Sequence, residues 1–385
     1  MTVVDLRDRG GLWTLAPEGT PLVTDAEPGL DVLVLEVVGG HLSWGLLSDE
    51  VIPGAVLDDG DAAQDWLWAV YGESVALAVA DGHPHALTAR PELPELVTDL
   101  RRLAYAHWVT RWWPASTLDG IPALDAALLD SELAELTERC EMVLAGVDAR
   151  GLDRTPATDV HELRPDVSGG GAGVDPADAD RSTRLAPARP ERRDDYALAA
   201  GGAVATDGVT VARGTGGWDW RRCPPGLLDA SEQAVSWAVS RAAGVSTVRV
   251  SVVAAPDCRE PVPAHLWPFA RVRTEADTVR SSGRSGQPSA SGQADIGATD
   301  RETTQDLLMA LRLQGDSWVG SRELPKDAHA VKAVRVFVPG VGPNERFSDE
   351  SEQRERIRHF ARQRLTGAHG LPLLAAEAAA EDGDF

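Results

Sequence analysis

The side chains best suited to metal chemistry lie in two short stretches of the first quarter of the chain. Asp58, Asp59 and Asp61 are grouped around a glycine, and His83 and His85 flank a proline further along. Imidazole and carboxylate groups suit several divalent ions, so the two stretches together could form the metal site of a hydrolase. However, the aspartate spacing lacks the later bidentate glutamate of an EF-hand, and two histidines in a turn are typical of an ordinary loop. We therefore expect no cofactor and no bound metal, and keep a metal-dependent hydrolase as an alternative.

Four tryptophans beside charged residues form a second group of candidates. Trp112 and Trp113 follow Arg111 at the end of a helical pattern, and Trp218 and Trp220 follow a glycine-rich stretch. Exposed aromatic side chains of this kind anchor protein partners. Trp218 and Trp220 could also stack on sugars, which makes a carbohydrate-binding module a further alternative. The alternative for both pairs is that the rings pack inside the fold, because tryptophan is highly buried on average.

The sequence lacks the motifs of several common enzyme classes. It contains no P-loop, no Rossmann glycine fingerprint after a strand, and no GxSxG, HExxH or kinase signature. The glycine run at 169–171 is not a phosphate loop, because no strand pattern precedes it and no helix pattern follows. These absences favour a non-enzymatic protein.

Hydrophobic periodicity predicts helices in the N-terminal part of the chain. Apolar residues recur at three- and four-residue spacing from Leu93 to Trp108 and from Leu124 to Leu144. Pro114 ends the first helix, because proline lacks an N–H and clashes with the preceding turn. Pro122 suits the first turn of the second helix, so the two form a helical hairpin. Residues 61–79 carry a similar pattern and predict one more helix.

Short alternating segments predict the strands. Near the N-terminus, residues 33–38 and 41–46 form a hairpin around Gly39-Gly40. Alternation predicts further strands at 209–213, 234–241, 247–253, 269–273 and 331–338, with another hairpin over 307–324. Residues 229–243 could instead form a helix. That helix would scatter Val235, Trp237 and Val239 around its surface, so we favour the strand.

Together these elements predict an α+β multidomain protein. Residues 1–147 form an acidic, mainly α domain with a small β element, and residues 195–340 form a β-sandwich-like domain. Residues 148–194 combine Pro, Gly, Asp and Arg with few large apolar side chains, a composition typical of a disordered linker. Residues 341–385 supply a charged C-terminal helix and a loose tail.

Charge gives the strongest indication of the kind of partner. The chain carries a net charge of −23, and residues 1–150 contain 26 acidic and 8 basic residues. Between Arg9 and Arg90 there are 13 acids and no Lys or Arg. Such a field repels nucleic acid and anionic membranes and speeds encounter with a cationic molecule. We therefore expect a protein partner with a basic surface, bound near Asp58, Asp59 and Asp61, and neither nucleic acid nor membrane. The alternative is that the acids only maintain solubility.

The sequence also indicates a compartment and a source. It contains no signal-peptide pattern and no apolar run long enough for a membrane span. Cys140, Cys223 and Cys258 are odd in number and widely spaced, which fits neither a disulfide framework nor a zinc site. These features predict a cytoplasmic protein. Abundant Arg beside only two Lys and one Asn is typical of a GC-rich bacterial genome.

Two segments resemble a known group of proteins. They are LAYAHWVTRWWPASTLDGIPALDAALLDSELAELTE at 103–138 and PPGLLDASEQAVSWAV at 224–239. Both resemble uncharacterised actinobacterial proteins associated with gene neighbourhoods of MoxR-type AAA+ ATPases and von Willebrand factor A proteins. The resemblance covers under a fifth of the chain and carries no catalytic residue. It implies an accessory or adaptor role in a multi-protein defence or stress system. Our leading prediction is thus a non-enzymatic interaction protein.

Overall fold

The computed structural model describes most of the chain outside its predicted linker. The described residues are 2–24, 28–144, 208–258, 261–276, 303–326, 328–342, 350–367 and 371–381. The predicted disordered linker, 148–194, lies outside these ranges. Within them the protein is mixed α+β, with seven α-helices and three antiparallel sheets. None of the described helices combines the length and apolarity needed to cross a membrane.

A six-stranded antiparallel sheet forms the β part of the N-terminal half. Its strands are β1 (Thr2–Asp8), β2 (Trp13–Pro17), β3 (Val32–Val37), β4 (Gly40–Gly45), β5 (Gly54–Leu57) and β6 (Ala86–Ala89). They are ordered β3-β4-β5-β2-β1-β6. The predicted hairpin at Gly39-Gly40 is confirmed, because Val37 pairs with Gly40 and Gly39 has a φ of +76°.

The expectation of only a small β element is therefore wrong. Four further strands join the β3–β4 hairpin, and β5 and β6 are only four residues long. Strands this short carry too few alternations to be recognised from periodicity alone. All four residues of β5 are buried, which removes the alternation altogether.

Five helices accompany this sheet. They are α1 (Gln64–Tyr71), α2 (Glu73–Asp81), α3 (Pro94–Trp112), α4 (Ala126–Arg139) and α5 (Glu141–Leu144). The single helix predicted over 61–79 is wrong, because Gly72 breaks it with a φ of +93°. A Cβ at Gly72 would collide with the carbonyl oxygen of Arg90, so only glycine fits where these two segments cross.

The predicted helical hairpin is confirmed, with one change at its turn. Helix α3 ends where Pro114 was expected to end it. Helix α4 begins at Ala126 rather than at Pro122, because the Asp125 carboxylate caps it by accepting hydrogen bonds from two backbone N–H groups of the first turn. The carbonyl of Pro122 instead accepts a hydrogen bond from the indole of Trp113, at 2.8 Å.

Two antiparallel sheets form the C-terminal half. The five-stranded sheet is ordered β12-β13-β9-β8-β7 and the three-stranded sheet β11-β10-β14. Their bounds are β7 (Val209–Gly216), β8 (Val235–Ala242), β9 (Val245–Val253), β10 (Phe269–Ala276), β11 (Thr303–Ala310), β12 (Arg312–Gln314), β13 (Ser317–Glu323) and β14 (Ala328–Phe337). Each sheet has a buried apolar face, exemplified by Val250 in β9 and Val272 in β10.

The strand interpretation of the 229–243 segment is confirmed. Strand β8 pairs with both β7 and β9, and Val235 and Val239 are buried. Trp237 lies on the same face but is only half-buried, with its ring against Gly214. The hairpin predicted over 307–324 is only partly correct. Strands β12 and β13 pair around Gly315, but the chain bends at Leu311 so that β11 pairs with β10.

Two helices close the described chain, α6 (Ser351–Arg364) and α7 (Ala375–Glu381). The charged helix α6 was predicted. The tail is not loose over 371–381, because α7 forms there and the side chain of Glu377 is fully buried. Buried apolar residues of both halves belong to one core cluster, including Trp44, Trp66, Val250 and Trp318. The division into domains 1–147 and 195–340 stays a prediction.

Candidate functional site

The four tryptophans identified from the sequence meet at a single cleft. Trp112 and Trp113 come from the end of α3, while Trp218 and Trp220 come from the segment that follows β7. Buried Cys223 also lines this tryptophan cleft. The cleft offers about 30 Å³, roughly the room for one or two water molecules. It joins two distant parts of the chain but is too small for a substrate.

The end of α3 fixes the first pair of tryptophans. The Arg111 guanidinium carbon lies 4.7 Å from the centre of the Trp112 ring, a cation–π contact. Trp113 donates its indole hydrogen bond to Pro122 across the turn. Both rings are half-buried, so they contribute packing at this junction and keep some accessible surface.

The second pair is held more tightly. The carboxylate of Asp219 accepts a hydrogen bond from the backbone N–H of Arg221 and starts a short 3₁₀ helix. Trp218 donates to the carbonyl of Asp229 at 2.8 Å, and its ring centre lies 6.2 Å from that of Trp220. Trp218 is 8% exposed and Trp220 is 4% exposed. These rings therefore present no open face on which a sugar could stack.

A buried carboxylate that the sequence did not reveal lies beside the cleft. Asp229 accepts hydrogen bonds from the hydroxyl of Ser116 at 2.7 Å and from the backbone N–H groups of Thr117 at 2.7 Å and Ser231 at 2.9 Å. A fourth, longer bond of 3.4 Å comes from the N–H of Leu118. Burial raises the pKa of Asp229, while these hydrogen bonds act to lower it.

The contact at Asp229 joins the two segments that carry the resemblance described above. Ser116 to Leu118 lie within 103–138, and Asp229 lies within 224–239. The backbone N–H of Ala230 also donates to the carbonyl of Ala115, at 3.1 Å. No motif pointed to this carboxylate. The only signal was an Asp inside an otherwise apolar stretch of the second segment, which is an unusual place for a charge.

Two arginines of helix α6 bind the residues that follow Asp229. Arg358 is 1% exposed and donates to the Ala230 carbonyl and to Glu232, each at 3.1 Å. Its Nε lies 3.4 Å from the Asp119 carboxylate. Arg354 also binds Glu232, at 2.6 Å. Burial acts to raise the pKa of Glu232, but the two arginines together hold that pKa below its usual range.

The C-terminal segment is fastened by a second buried ion pair. Glu377 accepts hydrogen bonds from the Tyr105 hydroxyl at 2.6 Å, from Arg364 Nε at 2.9 Å and from the Leu374 backbone N–H at 2.8 Å. Burial raises the pKa of Tyr105, and the Glu377 charge raises it further, so its phenol stays protonated. This arrangement is structural, because it leaves no group accessible to a reactant.

The aspartates and histidines proposed as metal ligands lie away from the lining of the tryptophan cleft. Asp58, Asp59 and Asp61 belong to the connection from β5 to α1, where the Asp59 carboxylate accepts a hydrogen bond from the N–H of Ala62. His83 and His85 are exposed after α2. Over the ranges that the structure describes, no group of three or more His, Cys, Asp or Glu side chains could hold a metal ion.

A further surface was not identified from the sequence. The exposed side of α1 and α2, here called the α1–α2 face, carries acids and two large apolar side chains. Its exposed acidic and large apolar residues are Asp61, Asp65, Trp68, Glu73, Leu77 and Asp81. The four acids among them form no ion pair in the described part of the chain. Only Asp61 belonged to the predicted partner-binding residues.

Comparison with known proteins gives no relative. The chain matches no protein-family model, no curated protein and no solved structure.

Proposed function

We propose that this chain is a non-enzymatic interaction or adaptor protein of a bacterial, cytoplasmic multi-protein system, one linked to an ATPase in defence or stress. In this proposal the acidic N-terminal part meets a protein partner with a basic surface. A β-sandwich-like C-terminal unit and the C-terminal helices hold that part in place. Neither nucleic acid nor membrane is a partner.

The observation that carries the proposal is the unequal pairing of acids in the N-terminal part. Asp31 and Asp119 meet arginines of α6, with distances of 3.4 Å to Arg356 and Arg358 respectively. The acids of the α1–α2 face meet no cation within the described residues. Unpaired like charges repel one another and destabilise the folded chain slightly, so their concentration on one face favours a role in encounter with a cationic partner.

The two alternatives receive less support. A sugar-binding module needs accessible aromatic rings, whereas Trp218 and Trp220 are buried. A metal-dependent hydrolase needs converging ligands, and within the described residues no group of three or more His, Cys, Asp or Glu side chains could hold a metal ion. Burial also raises the pKa of the Cys140 thiol to about 11 and holds that of Cys223 well above its usual value, so neither of these two thiols is reactive.

The proposal is tested by cross-linking the tagged full-length chain in the organism that encodes it. We expect mass spectrometry to identify one protein in near-stoichiometric yield, with cross-links on a Lys- or Arg-rich surface of that protein. Purified partner and chain should then bind each other with an affinity that weakens as salt is raised. Recovery of no specific protein, or of nucleic acid instead, would contradict the proposal.

A further inference from the structure

The α1–α2 face combines exposed large apolar side chains with exposed acids. Trp68 is 45% exposed and Leu77 is 56% exposed, although burying a large apolar side chain lowers the free energy of the protein. All twelve tryptophans lie in the described ranges, and Trp68 is the only exposed one. Tryptophan is also one of the residues enriched among those that dominate binding at protein interfaces.

Helix geometry places acids beside these apolar side chains. Asp65 and Trp68 are three residues apart in α1, and Glu73 and Leu77 are four apart in α2. Residues at these spacings lie on the same side of a helix, about 5–6 Å apart. Each large apolar side chain on the face therefore has a carboxylate as its neighbour.

The two helices contact one another. Gly72 joins them directly, and a Cβ at Gly60 would lie 3.2 Å from the side chain of Val79. The loop that precedes α1 thus contacts the end of α2. Asp61 follows Gly60, and Asp81 lies two residues after Val79, so both exposed acids are close in sequence to this contact.

The chain itself shows which chemistry satisfies its acidic surfaces. Helix α6 carries five arginines around buried Ile357 and half-buried Phe360. Its arginines pair with Asp31, Asp119 and Glu232, while its apolar edge packs against the core. Within this chain, an amphipathic, arginine-bearing helix therefore already pairs with two acids of the N-terminal part, Asp31 and Asp119.

We propose that the α1–α2 face docks an amphipathic helix of a partner protein, with arginine or lysine beside an apolar stripe. This inference rests on the proposed interaction function and specifies its surface and partner. The partner's apolar stripe covers Trp68 and Leu77, and its cations meet Asp61, Asp65, Glu73 and Asp81. One cation also stacks on the Trp68 ring, since an indole face attracts a guanidinium or an ammonium group.

The probe is a fluorescently labelled peptide built from Lys and Leu, with Leu at i, i+3, i+4 and i+7 along an amphipathic helix. Its affinity for the full-length chain is measured by anisotropy, with salt raised from about 0.05 to 0.5 M. A peptide with Glu in place of Lys is the negative probe. We expect the Lys peptide alone to bind, and more weakly as salt increases.

Two sets of charge substitutions separate the face from the net charge of the protein. The first is Asp61→Asn, Asp65→Asn and Glu73→Gln on the α1–α2 face. The control is Asp130→Asn, Glu135→Gln and Glu138→Gln, which removes three exposed acids from α4. We expect the first set, and Trp68→Ala separately, to lower the affinity for the Lys peptide by about tenfold or more. The control set should lower that affinity by less than about threefold. Leu128→Ala on α4 is the matched control for Trp68→Ala, because Leu128 is 39% exposed.

Equal effects of the two charge sets would overturn the proposal, because only the diffuse negative field would then attract the peptide. Residues 181–193 contain five arginines and one glutamate. Binding that appears only after these residues are deleted would also overturn the proposal, since this chain's own basic segment would then occupy the face. Circular dichroism checks that each variant remains folded. A natural partner whose affinity ignores Trp68→Ala and the first charge set would refute the docking face alone. Absence of any natural partner would refute the interaction function itself.

Discussion

At the scale of single residues, the carboxylate of Asp229 connects the two halves of the chain most directly. Both of its oxygens accept hydrogen bonds: Oδ1 from Ser116 and Ser231, and Oδ2 from Thr117 and Leu118. An asparagine could accept at only one position and would point an N–H₂ group at donors on the other. The sequence could not reveal this role, because it depends on a contact between residues more than one hundred positions apart.

We therefore expect Asp229→Asn to lower the free energy of unfolding by about 1–3 kcal/mol, the cost of leaving buried donors unpaired. Urea unfolding followed by tryptophan fluorescence measures it. Asp257→Asn is the control, since Asp257 is exposed and its substitution should change stability by no more than about 0.5 kcal/mol. If the two variants are equally stable, the hydrogen bonds at Asp229 do not hold the halves together.

Two tryptophans of the five-stranded sheet should differ in their energetic importance. Trp318 is fully buried, whereas Trp237 is half-buried over Gly214. We expect Trp318→Ala to cost about 3–5 kcal/mol, and Trp237→Ala only about 2 kcal/mol because less apolar area leaves water on folding. Thermal and urea unfolding compare them. A larger loss for Trp237→Ala would mean that its ring is more enclosed than its half-buried position implies.

At the scale of elements, sequence patterns succeeded where burial on one face produced them. Alternation identified β8, in which Val235 and Val239 are buried, and the three- and four-residue spacing of buried apolar side chains identified α3. The pattern over 61–79 predicted one helix instead of two, because α1 and α2 both bury one side and the helical periodicity continues across Gly72. Only the crossing with Arg90, distant in sequence, requires the break. The sequence likewise did not reveal that Trp68 is exposed, since composition does not separate an exposed indole from a buried one.

Helix α7 depends on the buried pair between Glu377 and Arg364. Removing the carboxylate would leave a guanidinium that is 1% exposed without its counter-charge. We expect Glu377→Gln to destabilise the protein by about 3–5 kcal/mol, the usual effect of breaking a buried pair from one side. Glu381→Gln, on the exposed end of the same helix, should be nearly neutral. Hydrogen exchange of residues 371–381 would locate the effect, and unchanged protection there would contradict it.

At the scale of the whole molecule, Asp229 and Glu232 give stability opposite dependences on pH. The folded-state pKa of Glu232 is lowered, so its stabilising contribution is present above its unfolded pKa and is lost as pH falls through the folded value. The folded-state pKa of Asp229 is raised, so its contribution is greatest at low pH and is lost as pH rises. As pH falls from about 6 to about 3, the loss in free energy of unfolding caused by Glu232→Gln should therefore shrink. The loss caused by Asp229→Asn should not shrink over this range. Urea unfolding at several pH values measures both costs. Parallel pH profiles for the two variants would contradict this assignment.

The contacts around Asp229, Arg358 and Glu377 predict how the halves behave once the chain between them is cut. A site-specific protease sequence inserted after Gly170 would leave α3 and α4 in one fragment, and β7 through α7 in the other. The fragments would still share the Asp229–Ser116 hydrogen bond, the Arg358–Asp119 pair and the Tyr105–Glu377 hydrogen bond. Apolar side chains from both fragments also belong to one core cluster. We expect the cut protein to elute as one species in size-exclusion chromatography, because separating the fragments would leave buried polar and charged groups without partners.

The control is the cut protein carrying Asp229→Asn with Arg358→Met, which should dissociate at a lower urea concentration. Fragments that separate without denaturant would instead support two independent domains joined only by the linker.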